Sequence, residues 1–149
     1  MDHGIEALTG MVLCLFPRTE FMALYKNQPS LGYDVTWLAA EQERLLDAQL
    51  VTVGRRTAIE RVAFVVWYLF DRGRELGMVK NGRMVFPLTQ QHMADTLGLS
   101  LVHTNKTIKR LRSTGTVRWS ERWLEIEDEA RLMEIANVEQ TARPKRPFI

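Results

Sequence analysis

Apolar and polar residues follow one another along the chain in blocks that predict short elements on either side of one long helix. Residues 11–16 (MVLCLF) form an apolar run with the length and composition of a strand. A short helix should follow, with Thr19 as its N-cap and Pro29 just beyond its end. Residues 30–54 then contain no proline and few glycines, so they predict a single long helix.

Two apolar stripes run along this long helix. The first stripe alternates spacings of four and three residues, as in a coiled-coil seam. Its members are Leu31, Val35, Leu38, Gln42, Leu45 and Gln49. A neighbouring face carries Ala39, Leu46, Leu50 and Val53. An ordinary core helix is the alternative interpretation, but little upstream sequence is available to cover two stripes. We therefore predict that the first stripe forms the interface of a homodimer.

A second, strongly apolar helix should occupy residues 58–76. Gly54 is expected to end or bend the helix before it. Thr57 is a suitable N-cap, and Glu60 three residues later completes the spacing of a capping box. Gly77 stands where a helix commonly terminates. The density of apolar residues between these signals predicts that this helix is central to the fold.

Two hairpins are predicted in the second half of the chain. Asn81-Gly82 supplies the positive φ angles of a two-residue turn and precedes a strand at 84–86. Residues 116–119 and 123–126 alternate apolar and polar side chains on either side of a polar turn. This second hairpin is typical of the wing of a winged helix-turn-helix, and Arg122 at its tip could reach a phosphate. A last helix should begin after Asp128.

Between the hairpins lies the pattern of a helix-turn-helix. Helices are predicted at 90–97 and 100–113, with Gly98 in the turn. Ala94 is small enough to let the two helices cross closely, and Thr104 should pack the second helix against the first. Helix, turn and helix are common in all-α proteins. Spacing alone therefore leaves a structural role and DNA binding equally open.

The distribution of charge favours DNA binding. The formal net charge is only +2, yet residues 80–119 hold seven basic groups and one acidic group, whereas residues 120–139 hold two basic and seven acidic groups. No acidic residue occurs between Gly98 and Ser120. A solvated face normally mixes both signs, so a face of one sign is better explained by phosphates. It consists of His103, Asn105, Lys106, Lys109, Arg110 and Arg112.

Composition excludes several other classes of protein. With 46% hydrophobic residues the chain is not disordered. The apolar stretch at 62–70 is too short to cross a bilayer. Cys14 is the single cysteine, which excludes a disulfide scaffold and fits a cytoplasmic protein. Its position in an apolar run predicts a buried thiol. The four tryptophans are predicted to make core or dimer contacts: Trp37, Trp67, Trp119 and Trp123.

No catalytic or metal site is recognisable, and the chain is not expected to be an enzyme. Its histidines, His3, His92 and His103, lack the spacing of metal ligands. No nucleophile lies in a recognised setting. His92 should face solvent or a phosphate. The tail Arg143-Pro-Lys-Arg-Pro is expected to be disordered and could add non-specific attraction to DNA.

The sequence from residue 88 to 119, with its continuation, resembles the Crp/Fnr family of bacterial transcription regulators. It reads LTQQHMADTLGLSLVHTNKTIKRLRSTGTVRW and continues to WLEIED. The preceding GRRTAIERVAFVVWYLF resembles the helix before the family's DNA-binding motif. FPRTEFMALYKNQPSL and the long helix resemble the end of its sensor domain and its dimerisation helix. The resemblance covers residues 11–136 in the family's order.

This resemblance implies a mainly α fold with small β-hairpins, in which a long dimerisation helix precedes a winged helix-turn-helix. It divides the chain into a sensor remnant (1–29), the dimerisation helix (30–54), the DNA-binding domain (55–137) and a basic tail (138–149). A homodimer would place the recognition helix of each copy in the major groove of palindromic double-stranded DNA. RNA polymerase is a further candidate partner.

The family's base-contacting positions fall on Leu101, Val102, Asn105 and Lys106. Ser100 and His103 fall on capping or phosphate-contacting positions. Well-known members carry an acidic residue at the position of Val102 and often arginine at that of Lys106, so the half-site should differ from theirs. Apolar side chains at 101 and 102 could contact thymine methyl groups, Asn105 could read adenine, and Lys106 guanine. Phosphate contacts are expected from Lys109, Arg110 and Arg122.

No cofactor is expected. The family's cyclic-nucleotide-binding β-roll would lie upstream of residue 11, where this sequence has ten residues. Leu46 and Asp47 stand where the cyclic-AMP-binding member has two hydroxyl residues that touch the nucleotide. Cys14 alone cannot hold an iron–sulfur cluster. The alternative to a DNA-binding regulator is a dimerisation or protein-interaction module that modulates full-length family members without binding DNA specifically itself.

Overall fold

A computed structural model describes residues 4–120 and 122–138, which form two compact units. The N-terminal unit comprises residues 4–50 and the C-terminal unit residues 51–138. The described residues contain six helices and a three-stranded sheet, so the predicted mainly α fold is confirmed. The elements are α1 (Arg18–Asn27), α2 (Pro29–Arg55), α3 (Ala58–Glu75), β1 (Arg83–Val85), α4 (Gln90–Leu97), α5 (Leu101–Ser113), β2 (Val117–Trp119), β3 (Trp123–Ile126) and α6 (Glu129–Ala136).

In the N-terminal unit, an aromatic contact joins α1 to the first turns of α2. The Tyr25 ring lies so close to Gly32 that a Cβ atom at this position would stand 2.8 Å from ring atom Cδ1. Phe21 packs edge-on against Tyr25, with 5.7 Å between ring centroids. Glycine at position 32 therefore allows the close approach of the two helices, and any larger residue would push the ring away.

The prediction of a strand at residues 11–16 is wrong. These residues form neither helix nor strand, and they are exposed, with 94% of Val12 accessible to solvent. A strand requires a neighbour for its N–H and C=O groups, and no described residue pairs with this segment. For the same reason the prediction of a buried thiol is wrong, because Cys14 is exposed.

The ends of α1 and α2 also differ from the prediction. Pro17 is the N-cap of α1, and its carbonyl accepts from the backbone N–H of Glu20 at 3.0 Å, so Thr19 lies inside the helix. Pro29 begins α2 instead of only ending the helix before it, since a proline in the first turn lacks only an N–H that would have no helical partner. The helix then continues through Gly54, which neither ends nor interrupts it.

The C-terminal unit packs α3 against the other helices and the sheet. Its strands lie in the order β1-β3-β2, and both pairings are antiparallel. The Met84 side chain of β1 fits over Gly73 of α3, where a Cβ atom would meet the sulfur at 2.8 Å. Phe86 and Trp119 pack edge to face, with centroids 5.0 Å apart. Fully buried residues of this core include Val62, Val66, Leu97, Leu124, Leu132 and Ala136.

Two arginines near the start of α3 hold the ends of other helices. Arg56 donates to the Ala136 carbonyl at 2.6 Å, at the end of α6, and its guanidinium lies 4.3 Å from the centre of the Phe64 ring. Burial lowers the pKa of Arg56. Arg61 donates to the Arg56 carbonyl at 2.8 Å and to the Leu97 carbonyl at 3.2 Å, at the end of α4. These bonds satisfy helix-terminal carbonyls.

The helix and turn signals around α3 are confirmed. Glu60 accepts from the backbone N–H of Thr57 at 2.8 Å, which is one half of the predicted capping box. Asn81 and Gly82 both have positive φ angles, as the predicted two-residue turn requires. The partner of β1 is nevertheless β3, and the residues before the turn contribute only an isolated bridge at Lys80.

The tryptophans divide between interior and surface. Trp67 and Trp119 are buried as predicted, whereas Trp37 is half-buried. Trp123 is 47% exposed, so it is not a core residue, and its other predicted role, a dimer contact, stays a prediction. Because side chains alternate along a strand, the buried Leu124 places Trp123 on the opposite face of the sheet. The predicted basic tail lies outside the described residues except for Val138, and so does His3. No helix among the described residues is long and apolar enough to cross a membrane.

Candidate nucleic-acid interface

The first helix of the predicted motif, α4, begins with a reciprocal cap. The Thr89 hydroxyl accepts from the backbone N–H of His92 at 3.1 Å, and the backbone N–H of Thr89 donates to His92 Nδ1 at 3.2 Å. His92 thus replaces the glutamate of an ordinary capping box. Its Nδ1 must be unprotonated to accept this bond. The expectation that the side chain simply faces solvent or a phosphate therefore missed its local role.

A tight turn then positions the second helix, α5. Gly98 adopts φ 62° and ψ 36°, the left-handed conformation predicted for it. The backbone N–H of Leu99 donates to the Ala94 carbonyl at 3.0 Å, and Arg61 binds the Leu97 carbonyl. Ala94 itself is buried at the helix crossing. The angle between α4 and α5 is therefore fixed by the hydrogen bond within the turn and by the bond from Arg61 of α3.

The second helix of the predicted motif, α5, has an inner and an outer face. Ser100 caps it by accepting from the backbone N–H of His103 at 3.3 Å, so the capping role predicted for Ser100 is present. The inner face is buried and consists of Thr104, Thr107, Ile108 and Leu111. With 3.6 residues per turn, the stripe opposite this face contains residues spaced by four, three and four positions. They are Val102, Lys106, Lys109 and Ser113, and all four are exposed.

The four cations of α5 lack acidic partners within the part of the chain that the structure describes. Lys106, Lys109, Arg110 and Arg112 are all exposed, and their nearest described carboxylates lie beyond ion-pair distance. The positive charge predicted for this helix is thus presented to solvent without local neutralisation. Such a surface attracts a polyanion.

Arg118 differs from these cations, although the sequence placed it in the same basic block. Its guanidinium lies 3.4 Å from Glu125 across the hairpin and forms a second ion pair with Glu127. Its charge is therefore largely neutralised within the wing. Arg118 and Glu125 are directly opposite in the β2–β3 register, so a predicted hairpin register would have revealed the first of these contacts.

Asn105 is only partly available for reading a base. Its Oδ1 atom is buried and has no hydrogen-bond partner among the described residues. Bidentate recognition of adenine needs both the oxygen and the nitrogen of the amide to face the groove. The structure therefore places Leu101, Val102 and Lys106 at the surface as predicted, but it turns one end of the Asn105 amide inward.

The wing stands beside the C-terminal half of α5. A shallow groove of about 360 Å³ separates them and is lined by Lys109, Arg112, Ser113, Val117, Arg118 and Glu127. Arg122 is exposed next to the hairpin turn, as predicted, while its carbonyl accepts from the backbone N–H of Phe86 at 2.8 Å. That bond anchors the turn end of the wing to the segment after β1. Helix α5 and the wing thus present a basic surface on a rigid support.

Comparison with known proteins agrees with this geometry. The family model for the Crp-like helix-turn-helix domain matches residues 60–135 of this sequence, which include α4, α5 and the wing. The chain belongs to the Crp/Fnr family. The family resemblance expected from the sequence is therefore confirmed.

Several members of the Crp/Fnr family align with most of this chain. It is 28% identical over 138 residues to the transcriptional activator protein FnrL of Cereibacter sphaeroides, covering 90% of this chain and 56% of FnrL. It is 26% identical over 136 residues to the nitrogen fixation regulation protein FixK of Bradyrhizobium diazoefficiens, covering 91% of this chain and 56% of FixK. The chain thus spans about half the length of the curated relatives it matches.

A solved structure of the Crp/Fnr family shares the fold. FixK2 from Bradyrhizobium japonicum superposes with a TM-score of 0.67 at 21% sequence identity, covering 84% of this chain and 60% of FixK2. At this identity the likeness concerns the fold alone. It supports the element order from α1 to α6 described above.

The predicted dimer stripe lies on α2. In the N-terminal unit, Leu31 and Gln42 are exposed, whereas the other stripe members are half-buried: Val35, Leu38, Leu45 and Gln49. The neighbouring stripe is more accessible, with Leu46 63% and Leu50 72% exposed. The interface stays a prediction, and the exposed fractions favour the neighbouring stripe as the face that needs covering.

No cluster of three or more His, Cys, Asp or Glu side chains within residues 4–120 and 122–138 could hold a metal ion. The positions relevant to a cyclic nucleotide lie on α2. Leu46 offers no hydrogen-bonding group, and Asp47 is exposed and acidic. That no cyclic nucleotide binds here stays a prediction.

Proposed function

We propose that this chain is a sequence-specific DNA-binding transcription regulator of the Crp/Fnr type. It binds palindromic double-stranded DNA as a homodimer, with α5 of each copy in the major groove. The observation that carries this proposal is the set of four exposed cations on α5 without acidic partners among the described residues. A protein-interaction surface has no need of a face from which carboxylates are missing.

The arrangement of α5 supports a division of labour along the helix. The major groove is about 12 Å wide and admits an α-helix. The buried stripe through Thr104 and Ile108 packs α5 against the rest of the C-terminal unit. The opposite stripe is therefore the one that would contact the base edges. Val102 and Lys106 would contact bases, whereas Lys109, Arg110 and Arg112 would bind phosphates on the flanks.

Two further parts of the proposal concern partners and ligands. The similar proteins FnrL and FixK are described as an activator and a regulation protein, which supports RNA polymerase as a partner of this chain. Leu46 and Asp47 support DNA binding without a cyclic nucleotide, because neither donates a hydrogen bond to a phosphate. We expect added cyclic AMP to leave DNA affinity unchanged.

The test is a selection of bound duplexes from a random pool, followed by titrations of salt. We expect an enriched palindrome. The three phosphate-binding cations on α5 of each subunit should by themselves make the logarithm of the association constant fall with the logarithm of salt concentration with a slope of about −5. Arg112→Gln should reduce that slope by about 2 in the dimer while leaving the preferred sequence intact, whereas Lys106→Ala should relax the preference.

The matched control is Lys26→Gln, which removes a cation from α1 and should leave the slope unchanged. If no duplex is enriched, or if binding is indifferent to salt, the DNA-binding proposal fails. In that case the chain would instead be a dimerisation or protein-interaction module.

A further inference from the structure

Val102 is an unusual residue for the centre of a basic surface. It is 66% exposed, and no other large apolar side chain described between residues 51 and 138 is as accessible. It also lies on the outer stripe of α5, one helical turn before Lys106. An exposed valine is unremarkable by itself. Its place at the proposed base-reading end of the helix is what requires an explanation.

The side chain of Val102 is held in position. It belongs to the first turn of α5, which Ser100 caps by accepting from His103 N–H at 3.3 Å. A valine in a helix occupies essentially one rotamer. Its two methyl groups therefore form a small, fixed apolar surface that has neither a donor nor an acceptor.

Only one feature of an unmodified major groove matches such a surface. The C5-methyl group of thymine is the only apolar group that projects into the groove, while the other groups exposed there are hydrogen-bond donors, acceptors or the smaller C–H edges of the bases. Packing the valine against the amino group of cytosine would remove that donor from water without providing an acceptor. The position thus attracts a methylated pyrimidine and rejects an unmethylated cytosine.

From this arrangement we infer that Val102 is a specificity-determining residue that reads the C5-methyl group of a pyrimidine in each half-site. The inference rests on the proposed DNA-binding function. Val102 and Lys106 are separated by about 6 Å along the helix axis, which corresponds to about two base-pair steps at 3.4 Å each. A thymine and a guanine within about two base pairs of each other should therefore recur in the preferred half-site.

The experiment removes the methyl group alone. Within the duplex selected by the wild-type chain, each thymine of the half-site is replaced in turn by deoxyuridine, which keeps the O4 acceptor. At one position the affinity should fall about fourfold per half-site, and so about 15-fold when both half-sites are changed. Replacing that thymine and its paired adenine by a C·G pair should weaken binding further, and C5-methylation of that cytosine should restore part of the loss.

Two variants assign this effect to Val102. Val102→Ala should bind the thymine and deoxyuridine duplexes with nearly equal affinity. Val102→Glu provides an acceptor and should shift the preference at that position toward unmethylated cytosine. Val85→Ala is the control, because it truncates another exposed valine, on β1 instead of α5, and should keep the wild-type discrimination.

The outcomes separate this inference from the function on which it rests. If no duplex is selected, the proposed function fails and the inference fails with it. If a duplex is selected but deoxyuridine is tolerated at every thymine, DNA binding stands and methyl recognition by Val102 is refuted. Unchanged discrimination in Val102→Ala would refute it as well, since the methyl group would then be read by another residue.

Discussion

Two apolar segments of this chain have opposite environments. Residues 11–16 are exposed to solvent throughout, whereas residues 62–67 of α3 are buried. Their composition alone would predict burial for both. Helix α3 is covered by α5, α6 and the sheet, while residues 11–16 have no strand partner among the described residues. Whether an apolar segment is buried thus depends on the elements available to cover it.

The largest expected effect is a loss of stability, measured by replacing one phenylalanine from each environment with alanine. Phe86 is 1% exposed and packs edge-on against Trp119, so Phe86→Ala should lower the free energy of unfolding by about 4 kcal/mol. Phe16 is 61% exposed, so Phe16→Ala should lower it by less than about 1 kcal/mol. Urea denaturation followed by circular dichroism measures both. Equal losses would break the comparison and would mean that residues 11–16 are covered in solution.

The same contrast explains which features were predictable from the sequence. The caps at Thr89 and Ser100, the turn at Gly98 and the buried face through Thr104 depend on residues within about four positions of one another. Such signals are contained in the local sequence. They are sufficient to predict the helix-turn-helix, and therefore most of the candidate site.

The incorrect predictions, and the contacts that were not predicted, depended on distant residues. A strand at 11–16 and a buried Cys14 needed a partner that the described residues do not provide. The neutralisation of Arg118 depends on glutamates across a hairpin, and the inward Oδ1 of Asn105 depends on how α5 packs. Residue spacing within a single helix or strand contains no information about such contacts, although the register of the predicted hairpin would have revealed the contact between Arg118 and Glu125.

A smaller effect is expected when a charged residue is introduced on α2. This substitution tests whether a second copy of the chain covers the exposed stripe of α2. Leu50 is 72% exposed, so a dimer would gain most by burying this residue and its neighbour Leu46. Leu50→Glu should raise the dimer dissociation constant by about 100-fold, because a charge would be buried in the interface. Sedimentation equilibrium measures the change.

The matched variant is Leu45→Glu on the first stripe, where the side chain is already half-buried. A larger effect at Leu45 than at Leu50 would restore the interface predicted from the heptad spacing. A wild-type chain that stays monomeric at high concentration would contradict both interfaces, and α2 would then be exposed in the same sense as residues 11–16.

The smallest expected effect is a change in stability at two buried threonines of the C-terminal unit, which separates the effect of burial from that of hydrogen bonding. Thr104 and Thr116 are both fully buried, but only the Thr116 hydroxyl has a partner, the Thr114 hydroxyl at 2.8 Å. The Thr104 hydroxyl has none among the described residues. Because valine has nearly the same shape, Thr104→Val should raise the free energy of unfolding by about 1 kcal/mol, and Thr116→Val should lower it by about 1 kcal/mol.

Urea denaturation of the two variants would show these opposite signs, and the DNA affinity of Thr104→Val should equal that of the wild type because the residue faces inward on α5. A loss of stability in Thr104→Val would mean that a water molecule or another group bonds to its hydroxyl in solution. Opposite signs would show that the covered region is stabilised by apolar burial and is weakened where a polar group is buried without a partner. Residues 11–16, which remain in contact with water, experience neither effect.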